Sequence, residues 1–426
     1  SLIMNVFKNM GRWLRSLSEV FAHEFSIVTH DAGALLFFVA LPLLYPIVYT
    51  LIYNPEVVRQ LPISIVDNSR SAESRELVRS ASAAPAVTIY SYDANLSDAK
   101  ARMAAGEVFA IMEIPSDYSR KLATGEQATV PMYFDMSLLL RYRALLSAIT
   151  DLQMKLAHDV TAMRVETIGA SSIGMASLPV ESESNFLGDT SDGFASFVIP
   201  GIVILILQQS MVLGVMLLEG TSRERRRRNG GIDPRMVKGA STTALIIGKA
   251  LCYTVIYMPM AMYVMVLIPH LFNLPHIGNP VEALLFIFPL LLASTFFGQT
   301  LTYFAKERES TFMVVVFTSV VFLFLSGLTW PRYAMNDFWR FCGDLIPGVW
   351  GLEGFIRINS NGATLAESVK PFLAMWILTG VYFLSAWWVM AYIRRESRTA
   401  SVPAGTPTAS LPSAPAEQSP ESSGRS

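Results

Sequence analysis

The sequence predicts an α-helical membrane protein with six transmembrane helices and an extracytoplasmic α/β domain inserted between the first and second helices. The first observation is a shortage of charge, because 16% of the 426 residues are charged and 52% are hydrophobic. Soluble proteins carry about 25% charged residues. The second observation is a set of long apolar stretches, and the third is a region of mixed strand and helix patterns after the first stretch. Because the net charge is only −1, the composition also argues against a nucleic-acid-binding protein with a basic domain.

Residues 1–33 are predicted to form an amphipathic helix before the first span. Apolar residues recur at steps of three and four, and the basic residues lie off that stripe. This pattern is typical of a helix lying in the membrane interface beside a span. Packing of the helix against another part of the protein is the alternative. The stripe consists of Val6, Met10, Trp13, Leu14, Leu17, Phe21, Phe25 and Val28.

Six apolar stretches have the length of a transmembrane helix, for which about 20 predominantly apolar residues are needed. Prolines within them do not exclude helices, because transmembrane helices tolerate proline. The first span is assigned to residues 34–53, and the other five belong to a bundle over residues 196–398. Those five run over residues 197–218, 243–268, 283–304, 311–328 and 371–393.

The insert over residues 54–195 has a different composition from the spans. Short β-branched runs predict strands, and the stretches between them predict helices with capping residues at their starts. This alternation indicates a small α/β domain. The predicted strands cover residues 62–67, 86–92, 108–114 and 129–135, and the predicted helices cover residues 72–81, 96–105, 117–123 and 138–168.

The distribution of lysine and arginine predicts the orientation in the membrane. Fifteen of these residues flank the spans on one side, whereas the short loops of the other side hold four, all between Pro331 and Lys370. We therefore expect both chain termini to be cytoplasmic and the insert to lie outside. The four on the outer side are Arg332, Arg340, Arg357 and Lys370.

Polar residues inside the predicted spans are candidates for a translocation pathway, because polar groups at that depth face protein or a cavity. Hydrogen bonds between helices are the alternative explanation. The residues are Gln208, Gln209 and Ser210 in the second span and Gln299 in the fourth.

Residues 330–358, after the fifth span, mix aromatic residues, glycines and prolines and are too interrupted for a further span. We expect a re-entrant segment of short amphipathic pieces that dip into the outer leaflet. Such pieces would suit an outer gate, with a passive interfacial belt as the alternative. The candidate gate residues are Ser326, Gly327, Pro331 and Pro347.

Two cytoplasmic segments have distinctive compositions. The loop over residues 219–241 contains four consecutive arginines from Arg225 to Arg228, a pattern that sets topology, attracts anionic lipid or docks a cytoplasmic partner. Residues 399–426 are rich in Ser, Pro, Ala and Thr, and we expect a disordered tail there.

Catalytic and metal-binding patterns are not evident in the sequence. Gly248-Lys249 is followed by Ala250 and is not part of a P-loop, and the five histidines lack metal-ligand spacing. Cys252 and Cys342 lie in or beside apolar stretches and are expected to pack as small hydrophobic residues. We therefore expect neither an enzyme, nor a bound cofactor, nor a metal site.

Three stretches and the insert resemble the permease subunit of ABC transmembrane type-2 exporters, in the branch with a large periplasmic domain after the first helix. The similarity extends from about Met4 to Arg398, and the arginine run departs from the usual pattern. The first stretch is His23-Glu24-Phe25 through Asp31 to Leu41-Pro42-Leu43, and the second is Glu219 to Glu224 followed by Gly248-Lys249. The third comprises Leu325 to Leu328, Trp330-Pro331, Met335, Trp339, Ile346-Pro347 and Gly354-Phe355, while Val66-Asp67 and Ile114-Pro115 carry the likeness of the insert.

The resemblance implies half of an exporter in a bacterial inner membrane. A cytoplasmic ABC ATPase subunit would hydrolyse ATP, and a second permease, identical or paralogous, would complete the pathway. A periplasmic membrane-fusion adaptor is a further partner that the resemblance allows, and membrane lipids surround the spans. The residues that it assigns to ATPase coupling are Glu24, Glu219, Gly220, Thr221, Arg223, Glu224 and Arg225.

Two other functions compete with an export permease. A membrane receptor would use the insert to bind a ligand, but the sequence shows no recognisable cytoplasmic output domain. A secondary transporter would use an ion gradient, but the spans contain almost no acidic residues for coupling. The exported substrate is left open, with drug-like, lipid-like and polymeric cargo all compatible with the sequence.

Overall fold

A computed structural model describes residues 2–53, 59–124, 126–137, 139–168, 194–274 and 276–400. It is mostly helical, and six of its helices are long and apolar enough to cross a membrane. The six predicted spans are therefore confirmed as helices. Spans 1 to 6 are Ala32–Ile52, Val198–Arg228, Thr242–Leu271, Pro280–Leu301, Arg308–Leu325 and Val369–Glu396.

Helix α1 (Leu2–His30) confirms the predicted amphipathic helix and packs along span 3. Val20 is buried in this contact, where it faces Gly248, and the Trp13 Nε1 donates to the Thr243 hydroxyl at 3.3 Å. Met10, Leu14 and Phe25 are exposed. The helix thus contacts the protein on one side and presents apolar side chains on another.

Span 1 starts immediately after α1 because Asp31 caps its first turn. The Asp31 carboxylate accepts hydrogen bonds from the backbone N–H groups of Gly33 and Ala34, which would otherwise lack partners. The span comprises α2 (Ala32–Leu35), a π-helical turn over residues 36–40 and α3 (Leu41–Ile52).

A four-stranded sheet lies between spans 1 and 2 in the sequence, in the order β2-β1-β3-β4. The first three strands are parallel and β4 pairs antiparallel to β3. The strands are β1 (Leu61–Asp67), β2 (Val87–Tyr92), β3 (Ala110–Ile114) and β4 (Met132–Phe134). The helices are α4 (Ala72–Ser82), α5 (Leu96–Ala104), α6 (Tyr118–Thr124) and α7 (Leu139–Ile168).

Local capping explains why the helices of the insert begin where the sequence predicts. The Ser71 hydroxyl accepts from the backbone N–H of Ser74, and the Asn95 side chain accepts from that of Asp98. The apolar sides of the sheet and of α4 and α7 form a core of their own around Ile63, Ile65 and Leu145. The predicted strands and helices are confirmed, with ends that differ by up to three residues.

Span 2 is the central helix of the bundle. In its most apolar window 78% of the residues are buried, against 22% in spans 1 and 5. Spans 1, 3, 4 and 5 and the segment between spans 5 and 6 pack against it, whereas span 6 packs mainly against span 4. The helices are α8 (Phe194–Arg228), α9 (Thr242–Met262), α10 (Ile268–Leu271), α11 (Pro280–Leu301), α12 (Arg308–Leu325), α13 (Asp337–Asp344), α14 (Pro347–Phe355) and α15 (Val369–Ala400).

The segment between spans 5 and 6 consists of short helices, as predicted. A 3₁₀ turn over residues 332–334 and the amphipathic α13 precede α14, whose Val349 and Phe355 are buried. Helix α14 packs against spans 2, 4 and 6. Its approach to span 4 depends on Gly354, because an added Cβ there would lie within 3.0 Å of ring atoms of Phe286.

The sequence-based boundary after span 2 differs from the structure. The segment predicted as a loop over residues 219–241 remains helical up to Arg228. Arginine and glutamate are good helix formers, so the helix continues through the charged residues that the sequence assigns to the loop. Residues 169–177 of the insert, which are rich in Gly and Ser, lie outside the described residues, and so do tail residues 401–426. Arg398 to Ala400 belong to α15.

Candidate functional site

Charged side chains from four helices meet where α1 joins span 1, at the end of the bundle that holds the arginine run. We call this cluster the ionic junction, and it has two parts, one around Lys249 and one around Arg308. Its members are Glu24, Asp31, Glu219, Thr221, Glu224, Lys249, Tyr253 and Arg308.

Lys249 holds α1 and span 2 together inside the protein. Its Nζ lies 2.6 Å from Oε1 of Glu219 and 4.0 Å from Oε2 of Glu24. Tyr253 donates its hydroxyl to Oε1 of Glu24 at 2.5 Å. The three charged side chains are at most 9% exposed. Removing Lys249 would leave both buried carboxylates without their cation, so this lysine fixes α1 in position against spans 2 and 3.

The close approach of α1 depends on the residue before Lys249. A Cβ on Gly248 would lie 2.8 Å from Val20 Cγ1 and 3.2 Å from the Leu17 carbonyl oxygen. Both contacts are shorter than ordinary van der Waals distances. The Gly248-Lys249 pair thus supplies the space for α1 and the charge that holds it.

Arg308 joins the start of span 5 to α1 and span 2. Its Nη1 and Nη2 lie 3.2 and 3.3 Å from the two Asp31 carboxylate oxygens, and Nη1 also donates to the Thr221 hydroxyl at 3.1 Å. The Arg308 backbone N–H donates to Oε1 of Glu224 at 3.0 Å. The two contacts of the Arg308 guanidinium with Asp31 form the bidentate geometry that arginine favours with carboxylates.

The electrostatics of Asp31 follow from these contacts. Burial raises the pKa of Asp31, but the Arg308 guanidinium and the backbone N–H groups of Ala34 and Gly33 outweigh that effect. The pKa is therefore held below its ordinary value of 3.8. The ionised carboxylate serves both as the helix cap and as the partner of Arg308.

Much of the arginine run is committed to contacts within the chain. Arg223 donates Nη1 to the carbonyl oxygens of Thr302 and Ala305 at 2.8 and 3.3 Å, at the C-terminal end of span 4, where carbonyl groups lack helical partners. Arg226 is buried too, and its Nη2 contacts the Met236 sulfur at 3.2 Å.

Arg225 folds the chain after span 2 back onto the helix. Its Nε and Nη2 contact the two Asp233 oxygens at 3.1 and 3.2 Å, and Ser222 donates to Asp233 at 2.6 Å. Burial raises the pKa of Asp233, but the hydrogen bonds from Arg225 and Ser222 outweigh it and lower the pKa overall. Asp233 is therefore an internal counter-ion for the run.

Burial divides the predicted coupling residues into two groups. Glu24, Glu219, Gly220 and Arg223 are buried, whereas Thr221, Glu224 and Arg225 are half-buried. The exposed charges at this end include Arg227, Arg228 and Glu307. The buried residues can transmit a movement between helices, and the exposed ones are accessible to a partner.

The polar residues within the spans connect different helices. Gln208 accepts a hydrogen bond from the Gly348 backbone N–H, Gln209 donates to the Ser319 hydroxyl at 2.7 Å, and Ser210 bonds to the Tyr257 hydroxyl. Span 2 is thereby tied to α14, span 5 and span 3. These contacts match the interhelical alternative, and whether the residues also line a pathway remains a prediction.

Gln299 differs from the other intramembrane polar residues. It is 2% exposed, and neither amide atom has a hydrogen-bond partner among the described residues. An unpaired buried amide is costly. Gln299 is therefore the described pathway candidate with the most unused hydrogen-bonding capacity.

The predicted outer-gate residues lie where span 5 ends and where α14 begins. Ser326 donates to the Leu323 carbonyl at 2.7 Å, and Gly327 turns the chain with a φ of +91°, a conformation that favours glycine. Pro331 precedes the 3₁₀ turn and Pro347 opens α14. Pro347 thus stands next to Gly348, whose backbone N–H donates to Gln208, so α14 connects one gate residue to the polar residues of span 2.

Sequence reasoning missed Asp31, Tyr253 and Arg308 as parts of this site. Asp31 before Ala32-Gly33 is a helix-cap pattern that could have been noticed. Arg308 was counted only as a topology signal, because its partner lies 277 residues away in the sequence. His270 and His276 have ring centroids 5.9 Å apart, and the described residues contain no metal-binding group of three or more His, Cys, Asp or Glu.

Six apolar helices around a buried polar interior, with charges linked at one end, define a multi-pass membrane protein. Residues 33–388 match the model of the ABC-2 family transporter proteins, and the chain belongs to that family. The match spans the bundle from the start of span 1 into span 6 and includes the sheet between spans 1 and 2. The chain is thus an ABC permease, a class that works with a cytoplasmic ATPase partner. No curated protein matches the chain.

Proposed function

We propose that this permease is the membrane subunit of an ATP-driven exporter in a bacterial inner membrane, energised by a separate ATPase subunit that binds at the ionic junction. The substrate is an efflux cargo, and the permease itself binds no ATP. Membership of the ABC-2 family supports the permease role and the ATPase partner. The direction of transport and the site of ATPase binding are the new parts of the proposal.

The proposed orientation places the ionic junction and both chain termini in the cytoplasm. The excess of lysine and arginine on this side supports it. The insert over residues 54–195 is then a periplasmic domain of the branch that carries such a domain after the first helix. Its separate core supports an independent unit.

The observation that carries the proposal is the pair of contacts that α1 makes at its C-terminal end. Lys249 joins Glu24 to Glu219, and Arg308 joins Asp31 to the end of span 2. A push on α1 therefore reaches spans 1, 2, 3 and 5 without an intervening flexible loop. We propose that closure of the ATPase supplies this push and that two permeases, identical or paralogous, respond together.

Movement of span 2 is proposed to open the pathway. Gln208 connects that span to α14, so displacement at the ionic junction is passed to the re-entrant segment at the other end. Gln208, Gln209, Ser210 and Gln299 would contact cargo, and Ser326, Gly327, Pro331 and Pro347 would gate its exit. A periplasmic adaptor bound to the insert is a further proposed partner.

Affinity purification of the full-length permease from its native membrane tests the proposal. The wild-type chain should retain an ABC ATPase subunit identified by mass spectrometry, together with ATP hydrolysis. The double variant Arg227→Glu/Arg228→Glu should retain at least about ten-fold less of this ATPase subunit, because like charges at an interface cost several kcal/mol. These residues are better probes than Arg223, since they are exposed and Arg223 holds span 4.

The matched control is Arg79→Glu, an exposed arginine of the insert, which should leave ATPase retention unchanged. Loss of the ATPase in that control but not in the double variant would reverse the proposed orientation. A wild-type permease that retains no ATP-hydrolysing subunit would contradict ATP-driven transport.

A further inference from the structure

A cavity of about 710 Å³ lies at the end of the bundle opposite the ionic junction. It is bordered by the end of span 5, the short helices α13 and α14 and the start of span 6. Four of its lining side chains are cationic and two are carboxylates. They are Arg332, Arg340, Arg357 and Lys370, with Asp344 and Glu353.

The four cations are the same four that the sequence places in the short loops of the proposed outer side. They are spread over residues 332–370, on four different structural elements, and the fold brings all of them to one cavity. Asp337 and Glu367, the other acidic residues of this stretch, do not line it. The stretch is neutral overall, yet the side chains that line its cavity carry two more positive than negative charges, and Arg340 has its carboxylate partner, Asp337, outside the lining at 2.5 Å.

The carboxylates of the cavity are already engaged. Glu353 contacts Arg332 at 3.3 Å and Arg357 at 2.6 Å, and Asp344 contacts Arg332. Lys370 has no carboxylate within ion-pair distance among the described residues, and its Nζ lies 6.0 Å from the centre of the Trp350 ring. The buried Arg332 Nε likewise has no hydrogen-bond partner there. Donors for an incoming anion are therefore present.

The cavity also offers apolar surface beside its cations. Trp350, Leu352 and Ile356 line it, and the Arg332 guanidinium stacks 5.1 Å from the Trp350 ring centre. A small hydrated anion would use the cations alone. A molecule with an anionic head and an apolar body would use both.

We propose that this four-cation cavity binds the phosphate-type anionic head group of an amphiphile. Guanidinium groups bind phosphate oxygens in bidentate fashion, and Lys370 supplies a further charge. The inference rests on the proposed function for one point, which is that the cavity faces outward and receives cargo or outer-leaflet lipid near the exit of the pathway. The chemistry of binding does not depend on that orientation.

Native mass spectrometry of the full-length permease in a non-ionic detergent tests the site. Dioctanoyl phosphatidic acid should bind, and dioctanoyl phosphatidylcholine should bind at least about ten-fold more weakly, because its head group carries no net charge. The double variant Arg357→Gln/Lys370→Gln should weaken phosphatidic acid binding at least about ten-fold. Arg332 is left in place because it holds α13 and α14 together through Asp344 and Glu353.

Two further variants separate a binding role from a folding role. Lys370→Arg keeps the charge and should keep the affinity, and Arg79→Gln removes an exposed cation of the insert and should change nothing. Inorganic phosphate at the same concentration as the lipid should not displace it, and displacement would assign the site to a free anion instead of an amphiphile. Equal binding of the two lipids, or unchanged binding by the double variant, would overturn the proposal. No ATPase takes part in this assay, so its failure is distinct from failure of the proposed function.

Discussion

Both ends of the helical bundle collect arginine and lysine, but they use these side chains differently. At the ionic junction, Lys249 and Arg308 contact carboxylates at 2.6 to 3.3 Å, and Arg223 contacts backbone carbonyls. At the four-cation cavity, cations outnumber carboxylates by two and Lys370 has no anionic partner among the described residues. Lys249 and Arg308 are therefore paired with carboxylates inside the chain, whereas the cavity retains a cation that has no carboxylate partner among the described residues.

The contrast teaches that a cluster of basic residues has no single meaning in this fold. Deep burial makes an unpaired charge costly, and Lys249 accordingly lies between two carboxylates that tie α1 and span 2 together. Around an open cavity, water or a ligand can solvate an unmatched cation at much lower cost. We therefore expect substitutions at the ionic junction to affect stability more than substitutions around the cavity.

The largest expected effect comes from Lys249→Met. It leaves Glu24 and Glu219 buried without their cation, and breaking such a group costs about 3–5 kcal/mol. The free energy of unfolding in bicelles, measured by steric trapping, checks this value. Lys238→Met, an exposed lysine at the same end, is the matched control and should change stability by less than about 0.5 kcal/mol.

A second variant shows whether the cost is electrostatic. Lys249→Met combined with Glu24→Gln and Glu219→Gln removes the cation and both buried carboxylates and should recover a large part of the loss, because well-packed neutral residues often replace buried ion pairs. If this triple variant is as unstable as Lys249→Met, lost packing would explain the effect. The contrast between the two ends would then fail.

The second-largest expected loss of stability concerns the contact between α14 and span 4. Gly354→Ala places a methyl group against the Phe286 ring, and overpacking of this kind costs about 1–3 kcal/mol. The same unfolding measurement should give that loss, together with a shift of α14. Gly380→Ala is the control, because no atom lies within 4 Å of the added Cβ, and it should be neutral or slightly stabilising.

Gly354 also sharpens the comparison between the ends. At the cavity end, close packing of α14 on span 4 adds to the ion pairs of Arg332, whereas at the junction end the buried contacts of Lys249 are ionic. If Gly354→Ala leaves stability unchanged while Lys249→Met lowers it, α14 is mobile enough to move aside. In that case the cavity end would be the part of the bundle that rearranges at the lower cost in stability.

Much of the fold follows from local sequence, and much of the site does not. Six spans are evident from apolar length alone, and Ser71 and Asn95 mark helix starts because capping involves residues three positions apart. In contrast, Glu24 meets Tyr253 across 229 residues and Gln208 meets Gly348 across 140. Such pairs arise only once helices are packed, and no local pattern encodes them.

The arginine run shows the same limit in another form. Its charge indicates which side of the membrane it occupies, but the helix continues through it to Arg228. Charge density alone does not distinguish Arg223, which is buried against span 4, from the exposed Arg227. Only the fold shows which arginines are buried in contacts within the chain and which are exposed, and the exposed Arg227 still contacts Glu307 at 3.5 Å.

The smallest expected effect is at Asp31, on the half-exposed rim of the ionic junction. Asp31→Asn keeps the helix cap, because asparagine caps as well as aspartate, and removes only the ion pair with Arg308. We expect a loss below about 1 kcal/mol, since Arg308 is 36% exposed and solvent screens the pair. Asp31→Ala also removes the cap and should cost about 1 kcal/mol more.

The pH dependence of stability provides an independent check on Asp31. Its pKa in the folded protein lies below the ordinary value of 3.8, so the unfolded chain takes up the proton first as pH falls. The stabilisation is therefore complete above that ordinary value and disappears as pH drops through the lower folded-state pKa. The difference in unfolding free energy between wild type and Asp31→Asn should be constant near neutral pH and shrink in that acidic range. A difference that does not shrink would mean that Arg308 is held by Thr221 and Glu224 without the charge of Asp31, and the rim would then behave like the cavity end.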